Sequence, residues 1–558
     1  MLTSDNFSGA FLSILLANLV LIALLGALIL AVYRRRIRTL MRGGDSIAVS
    51  LPPERPGQNR LRFTTIASPH ISQTRSATPD IPFAVLAIEL FAGVCFATLA
   101  AMLWLRSSGT PILPLRLAAF TLTFILPVLV VMALVMGPDR RKQSFLLIGG
   151  FFVFIVFGAT LVLRQPDDGL LVVWQILFYV IIFYGGSAFV PLLGLFNRSL
   201  RALWPILLVL VFLCTLGVLA QLALRSSLME QMDHLYLSAA ISIGLGWRTA
   251  LVLAHLPGFF MGIALSWFVI ARLAVWHQEG RLGDQALLHN AVWAAASLNL
   301  FLWLFVSIGP KTLLDTVKIL AVSSLPLLIY IGITKTGYFF LHQKLRSIPG
   351  RPLLYLRVFG YSRRASRLAD LLRARWRYRG SLRLIAARDL ASRVITPVML
   401  RAFLLRRLKG FFIETEANLE SRMASLSNRR DPDGSFRTEL LFCNGGSWRE
   451  TVRRLMKDSH GVVMDLRSFN RQNRGCVFEL QTLLDFVSVS RILLLVDSRP
   501  GPAQTDVAFL QEVMTEAWTH LAVTSPNHAI PDPVLRLIDA ASGDAKAVAF
   551  IIRELEAL

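Results

Sequence analysis

Long, nearly unbroken apolar runs fill the amino-terminal part of the chain, whereas the carboxyl-terminal part alternates short apolar runs with amphipathic stretches. A run of about 20 apolar residues is long enough to cross the hydrocarbon layer as a helix. Nine runs reach or approach that length: 10–33, 83–105, 117–137, 144–163, 170–196, 203–224, 250–276, 291–308 and 317–341. The stretch 235–247 is too short to span. Residues 1–345 therefore read as a membrane domain with about nine transmembrane helices, and residues 351–558 as an α/β domain.

Loop charge supplies an orientation. Arg34, Arg35, Arg36, Arg38 and Arg42 follow the first span, Arg140, Arg141 and Lys142 the third, Arg198 and Arg201 the fifth, and Arg281 the seventh. The intervening loops carry less net positive charge. Basic loops stay in the cytoplasm, so the amino terminus is expected outside and everything after residue 341 inside. The loop 43–82, rich in Pro, Ser, Thr and Arg, reads as flexible and cytoplasmic.

Composition agrees with this partition. Apolar residues make up 54% of the chain and charged residues 17%, far from a soluble globular balance. The net charge of +23 suits basic loops facing anionic lipid better than nucleic-acid binding, so no nucleic-acid partner is expected. Arg363, Arg364, Arg367, Arg373, Arg375, Arg377 and Arg379 crowd the start of the second domain. They read as a helix against anionic headgroups, with Trp376 and Tyr378 as interfacial aromatics; a phosphate or nucleic-acid site with those rings as stacking residues is the other reading. The four cysteines (Cys95, Cys214, Cys443 and Cys476) lack C-x-x-C spacing, so reduced thiols and no metal are expected.

In the second domain, strands are expected at 353–359, 381–386, 438–443, 461–466 and 491–496. Helices are expected at 362–378, from Ser447, and over 476–489, 505–521 and 533–558. Ser447 followed by Glu450 has the capping-box pattern. Continuous apolar strands joined by helices imply a parallel sheet covered on both faces, with ligands beyond the carboxyl ends of the strands. That rim includes Arg357, Gly360 and the loop 467–473. Asp465, near the end of a buried strand, needs a partner, and a structural hydrogen bond is the expected one.

The runs Trp448-Arg449-Glu450-Thr451-Val452, Ser459-His460-Gly461-Val462-Val463-Met464-Asp465 and Gly475-Cys476-Val477-Phe478-Glu479-Leu480 resemble Toll/interleukin-receptor (TIR) and TIR-like domains. Those domains have a helix ending near a Ser, a buried strand, a polar loop and a helix carrying Glu-Leu. A strand, loop and Glu-bearing helix is also similar to nucleoside deoxyribosyltransferases. The TIR resemblance implies a flavodoxin-like fold and places on Glu479 the carboxylate that assists cleavage of the nicotinamide–ribose bond of NAD. A carboxylate beside an anomeric carbon stabilises oxocarbenium-like charge. The alternative is a solvated or salt-bridged Glu at a helix start. Arg357, Arg467, Ser468 and Asn473, with Asn470, are the candidate nucleotide-binding residues; turn formation is the other role for the Ser and Asn residues. The long segment between the second strand and Thr438 departs from the TIR pattern. Gly-rich dinucleotide, P-loop and H-E-x-x-H motifs are absent, and no bound cofactor is expected.

Within the spans, Glu89 and His255 are ionisable and suggest a proton or ion path, while Asn18, Gln175 and Asn299 suit interhelical hydrogen bonds. Lys335 and Arg272 are placed to snorkel. Taken together, the chain is expected to be a multi-pass, homo-oligomeric membrane protein with a TIR-like cytoplasmic domain, acting in signalling or defence and binding or cleaving an NAD-type nucleotide. A transporter or channel with a regulatory domain, and a noncatalytic interaction platform, stay open.

Overall fold

The computed structural model describes residues 24–37, 39–40, 61–66, 81–109, 111–135, 149–150, 203–228, 247–309, 312–358, 362–386 and 395–557, except 427, 444, 445, 529 and 531. All but residues 149–150 of the expected span 144–163, the whole of 170–196, most of the first span and most of the loop 43–82 lie outside the described residues. So do Gly360, Asn18 and Gln175.

The described chain divides into two compact units. The first contains the helices α1 (Ile81–Ser107), α2 (Pro114–Phe124), α3 (Leu126–Val135), α4 (Trp204–Leu228), α5 (Trp247–Gln278), α6 (Asp284–Ile308) and most of α7 (Leu313–Leu345). Among the described residues, five helical stretches are long and apolar enough to cross a membrane: Ile81–Ser107, Arg116–Val135, Leu256–Gln278, Asp284–Phe305 and Leu314–Leu345. The expected single span at 117–137 is broken at Ile125, where α2 ends and α3 begins. Pro127 has no N–H for the helical ladder, and its ring crowds the carbonyl one turn back, which separates the two helices.

The second unit holds an all-parallel, eight-stranded sheet. Its strands are β1 (Arg62–Ile66), β2 (Leu353–Arg357), β3 (Leu382–Ile385), β4 (Phe412–Ile413), β5 (Thr438–Cys443), β6 (Gly461–Asp465), β7 (Ile492–Val496) and β8 (Val534–Asp539). They lie side by side in the order β1-β8-β7-β6-β2-β3-β5-β4. The helices are α8 (Ser362–Trp376), α9 (Pro397–Leu404), α10 (Glu416–Ala424), α11 (Trp448–Lys457), α12 (Arg474–Phe486), α13 (Val507–Thr519) and α14 (Asp544–Glu556). Of these, α9 is divided between the units: Ile395–Arg401, which holds most of it, groups with the first and the rest with the second.

Side chains alternate across each strand, so each strand feeds two cores. Leu354, Leu356, Val462, Met464, Ile492 and Leu494 pack with Val452 and Leu455 of α11, Leu480 and Leu483 of α12, and Leu510 and Met514 of α13. On the opposite face, α8 packs against α14, and the Gly461 backbone abuts Leu555 of α14. The strand interiors are buried at every position of β2, β3, β6 and β7.

Several local expectations change. The last segment is not helix throughout: Val534–Asp539 forms β8, and helix begins only at Asp544. Part of the loop expected to be flexible, Arg62–Ile66, is a strand whose β-branched and aromatic residues run in register with Val534–Ile538. Ser447 does not cap α11; its hydroxyl donates to the Ile413 carbonyl (2.5 Å), and Glu450 pairs with Arg453 (3.3 Å) and Arg454 (3.8 Å) instead. Trp376 is neither interfacial nor stacking: it is 1% exposed, with its indole N–H on the Arg351 carbonyl (3.1 Å), and Tyr378 is also buried.

β1 covers what is otherwise the open edge of β8, a position that invites unwanted pairing. The Arg62 amide donates to the Pro533 carbonyl (2.9 Å), so the amide two residues on, at Thr64, also faces β8 in a parallel ladder. Thr64→Pro deletes that donor and is expected to destabilise the edge by about 2–3 kcal/mol. In the full chain, hydrogen exchange of the 534–538 amides should accelerate while that of β6 and β7 is unchanged.

Candidate functional site

β2 and β6 are neighbours in the sheet, yet the helices that follow them lie on opposite faces: α8 beside α14, α12 beside α11 and α13. The carboxyl ends of these two strands are therefore the point where the winding changes direction, the usual position of a ligand crevice in an open α/β sheet. Arg357 ends β2 and stands in register with Asp465, which ends β6. Arg467 follows two residues later.

Asp465 is 2% exposed and fully engaged. Its Oδ1 accepts from Arg467 Nε (2.8 Å) and from the Arg467 amide (3.3 Å). Its Oδ2 accepts from Arg467 Nη2 (2.7 Å) and the Tyr355 hydroxyl (3.0 Å). The remaining arm of Arg467, Nη1, donates to Asp544 at the start of α14 (2.6 Å), and Arg367 of α8 approaches the same carboxylate at 3.9 Å. Burial works against the Arg467 charge, but the hydrogen bonds and charge of Asp465 outweigh it and make the guanidinium more basic than usual. Burial, then the Asp465 charge, pushes the Tyr355 phenol well above its ordinary range. The two-pronged arginine–carboxylate contact is a strong form of ion pair, and here it ties the ends of β2, β6 and α14 together.

The rim continues beyond β7. Buried Asp497 accepts from half-exposed Arg499 (2.8 Å), and the Thr505 hydroxyl accepts from the Asp497 amide (3.0 Å) and donates to the Leu466 carbonyl (2.9 Å). Between these points runs the loop 468–473. Ser468 has φ +66°, a left-handed conformation uncommon outside glycine, and its amide donates to Ala503 (2.9 Å). Asn473 Oδ1 accepts from the Asn470 amide (2.9 Å), and Asn470 Oδ1 from the Gln472 amide (2.9 Å), so these side chains build the turn that leads into α12.

The candidate residues thus divide. Arg357, Arg467 and Ser468 share the rim, and Asn473 shapes its loop. Arg357 and Arg467 are buried rather than on the surface, at 6% and 2% exposure. Glu479 is elsewhere in character: on the stripe of α12 shared with Cys476, Leu480 and Leu483, 1% exposed, with no hydrogen-bond partner at Oε2. Burial, without a compensating charge, pushes its carboxyl up to about 8. It is neither solvated nor salt-bridged. Tyr355, Asp544 and Asp497 were not singled out in the sequence; a tyrosine in step with Arg357 along β2 and an acid opening the last helix were the available signals.

A groove of about 410 Å³ is lined by Leu419, Glu420, Met423, Arg454, Lys457 and Asp458. It lies at the carboxyl end of α11, which leads into the start of β6, and so belongs to the opposite rim from Arg467. The chain matches no protein-family model, no curated protein and no solved structure.

Two outcomes follow from the burial of these groups. Asp465→Asn leaves a buried guanidinium without its counter-charge and should lower stability by about 3–5 kcal/mol, read as the denaturant midpoint of the second unit in the full chain. The Glu479 carboxyl holds its proton in the folded state up to about 8, whereas the unfolded group releases it near 4.5. Between those values the unfolded state binds fewer protons, so stability falls as pH rises through this window. Glu479→Gln should remove that loss, up to a few kcal/mol, and flatten the profile of unfolding against pH.

Proposed function

We propose that the chain is a membrane-anchored signalling protein whose TIR-like, flavodoxin-like domain binds an NAD-type nucleotide on the cytoplasmic side. The single observation that carries this reading is the change of winding between β2 and β6, with Arg357 and the Arg467–Asp465 pair at the strand ends. Strand order supports the fold. With β4 and β5 taken as an insertion beyond β3, the order β3-β2-β6-β7-β8 follows the flavodoxin-like pattern 2-1-3-4-5. That insertion also accounts for the long segment between the second strand and Thr438.

Sidedness has its own support. β1 comes from the loop after the first expected span and hydrogen-bonds with β8, which supports a reading with that loop and the domain on one side of the bilayer. The eight expected spans between them, an even number, return the chain to the same side. The arginines that follow the first span favour the cytoplasm for that side.

The buried state of Glu479 favours binding over cleavage. A carboxyl protonated at neutral pH donates a hydrogen bond but supplies no negative charge to an oxocarbenium-like centre. Calorimetry on the full chain in lipid nanodiscs should show saturable NAD binding, weakened about tenfold in Arg357→Gln through loss of one charge-assisted contact. No saturable binding at millimolar NAD overturns the reading. NAD hydrolysis that Glu479→Ala abolishes replaces a ligand site with a catalytic one.

A further inference from the structure

Glu89 lies in the first third of α1, is 1% exposed, and is surrounded by hydrogen-bond donors from two other helices. Its Oε1 is bonded to His289 Nδ1 of α6 (2.8 Å) and accepts from the Tyr338 hydroxyl of α7, while its Oε2 accepts from the Tyr330 hydroxyl, also of α7 (2.6 Å). His255, named with Glu89 for a proton or ion path, has its side chain outside the described residues. The histidine that meets Glu89 is His289, 200 residues away in sequence.

The surrounding packing makes this a built site rather than a chance contact. Trp293, one turn after His289, lies between Phe96 of α1 (ring centroids 4.7 Å) and Tyr330 of α7 (4.8 Å). A Cβ on Gly93 would stand 2.8 Å from Trp293 and one on Gly337 2.8 Å from Ile88, so small residues let α1 close onto both partners beside the cluster. The Ser297 hydroxyl on the Ser323 carbonyl (2.8 Å) ties α6 to α7 on a neighbouring level.

Charge accounting gives the cluster its chemistry. Three donors (two phenols and an imidazole N–H) saturate an ionised carboxylate, and with His289 neutral the site carries one uncompensated negative charge in an apolar interior. Such a charge is costly within a membrane. The one position left open is His289 Nε2, which is buried and has no hydrogen-bond partner. With Nδ1–H donating to Glu89, Nε2 presents a lone pair. Among the described residues, the other titratable groups on the helices packed here include Cys95 of α1, partly buried, and Cys214 of α4, buried. α3 carries none, Lys335 of α7 is exposed, and Asp284 at the start of α6 is engaged by His277 (3.0 Å).

We propose that Glu89, His289, Tyr330 and Tyr338 form a proton-binding site inside the helical membrane unit. The proton comes from water, the new N–H bond forms at His289 Nε2, and the product is an imidazolium–carboxylate pair of zero net charge. The Glu89 carboxylate remains ionised in both states, held by the two phenols, so proton binding changes the charge of the α1–α6–α7 junction without removing any of its existing hydrogen bonds. This site is independent of the nucleotide rim.

Trp293 reports on the site, because an imidazolium quenches a nearby indole. The difference in tryptophan fluorescence between the wild-type chain and Trp293→Phe, both in nanodiscs, isolates this residue. On acidification from about pH 8 to about pH 5 it should show one quenching step, with potentiometric uptake of one more proton per chain than His289→Gln. His289→Gln and Glu89→Gln should both abolish the step, whereas Tyr330→Phe, which keeps the carboxylate and the imidazole, should retain it with a displaced midpoint. Absence of the step in the wild-type chain overturns the proposal whatever the variants do. Persistence of the step at full amplitude in folded His289→Gln also overturns it.

Discussion

The constraint on which the second unit depends is that an all-parallel sheet must be buried on both faces. Parallel strands need crossover connections, and the helices that provide them cover whichever face they cross. Winding outward from β2 through β3 places α8 on one face, and winding through β6, β7 and β8 places α12 and α13 on the other. The strand ends where the two directions meet are left without a helix directly across them, and Arg357, Asp465 and Arg467 stand there. The rim is a consequence of how the sheet is covered before it is a matter of chemistry.

Burial decides which of the many charged contacts matter. Arg471 and Glu512 approach to 2.8 Å, but their side chains are 68% and 59% exposed, and such pairs contribute little. Arg467 and Asp465 approach to a similar 2.7 Å at 2% exposure each. There the two charges have lost their water, so the pair is neutral to stability only while both partners are present. The additional Tyr355 and Asp544 bonds complete the shell that water once supplied. Through these contacts the ends of β2 and β6 and the start of α14 are tied to one buried carboxylate–guanidinium pair.

Much of this was legible because apolar continuity survives in a sheet buried on both faces. The strands from 353, 381, 438, 461 and 491 stand out as short, mostly apolar runs, and β5 appears at its expected bounds. β8 was hidden because its burial alternates, with Arg536 half-exposed and ion-paired to Glu554, so it merges by eye with the amphipathic helix after it. β1 was hidden because five residues in a Pro- and Ser-rich loop carry no long-range signal; only the β8 edge makes them a strand. β4 has two residues and no local signature. At the rim, the need of Asp465 for a partner was legible, but not which one, since Arg467 is adjacent in sequence while Tyr355 and Asp544 arrive through the fold.

The two most deeply buried glutamates show why spacing alone could not assign either. Glu89 and Glu479 are each 1% exposed, and both interrupt otherwise apolar helical stripes. Their environments resolve the same difficulty in opposite ways. Glu89 meets donors from α6 and α7, brought by residues 200 or more positions away, and the ionised form is accommodated by hydrogen bonds. Glu479 meets no such set, leaves an oxygen unpartnered, and takes on a proton instead. A carboxylate saturated by phenols and an imidazole is a place where charge can be stored and exchanged. A carboxyl neutralised by its apolar surroundings is a weak acid held in a core. Burial sets the cost in both cases; the donors that the fold delivers determine which chemistry the side chain keeps.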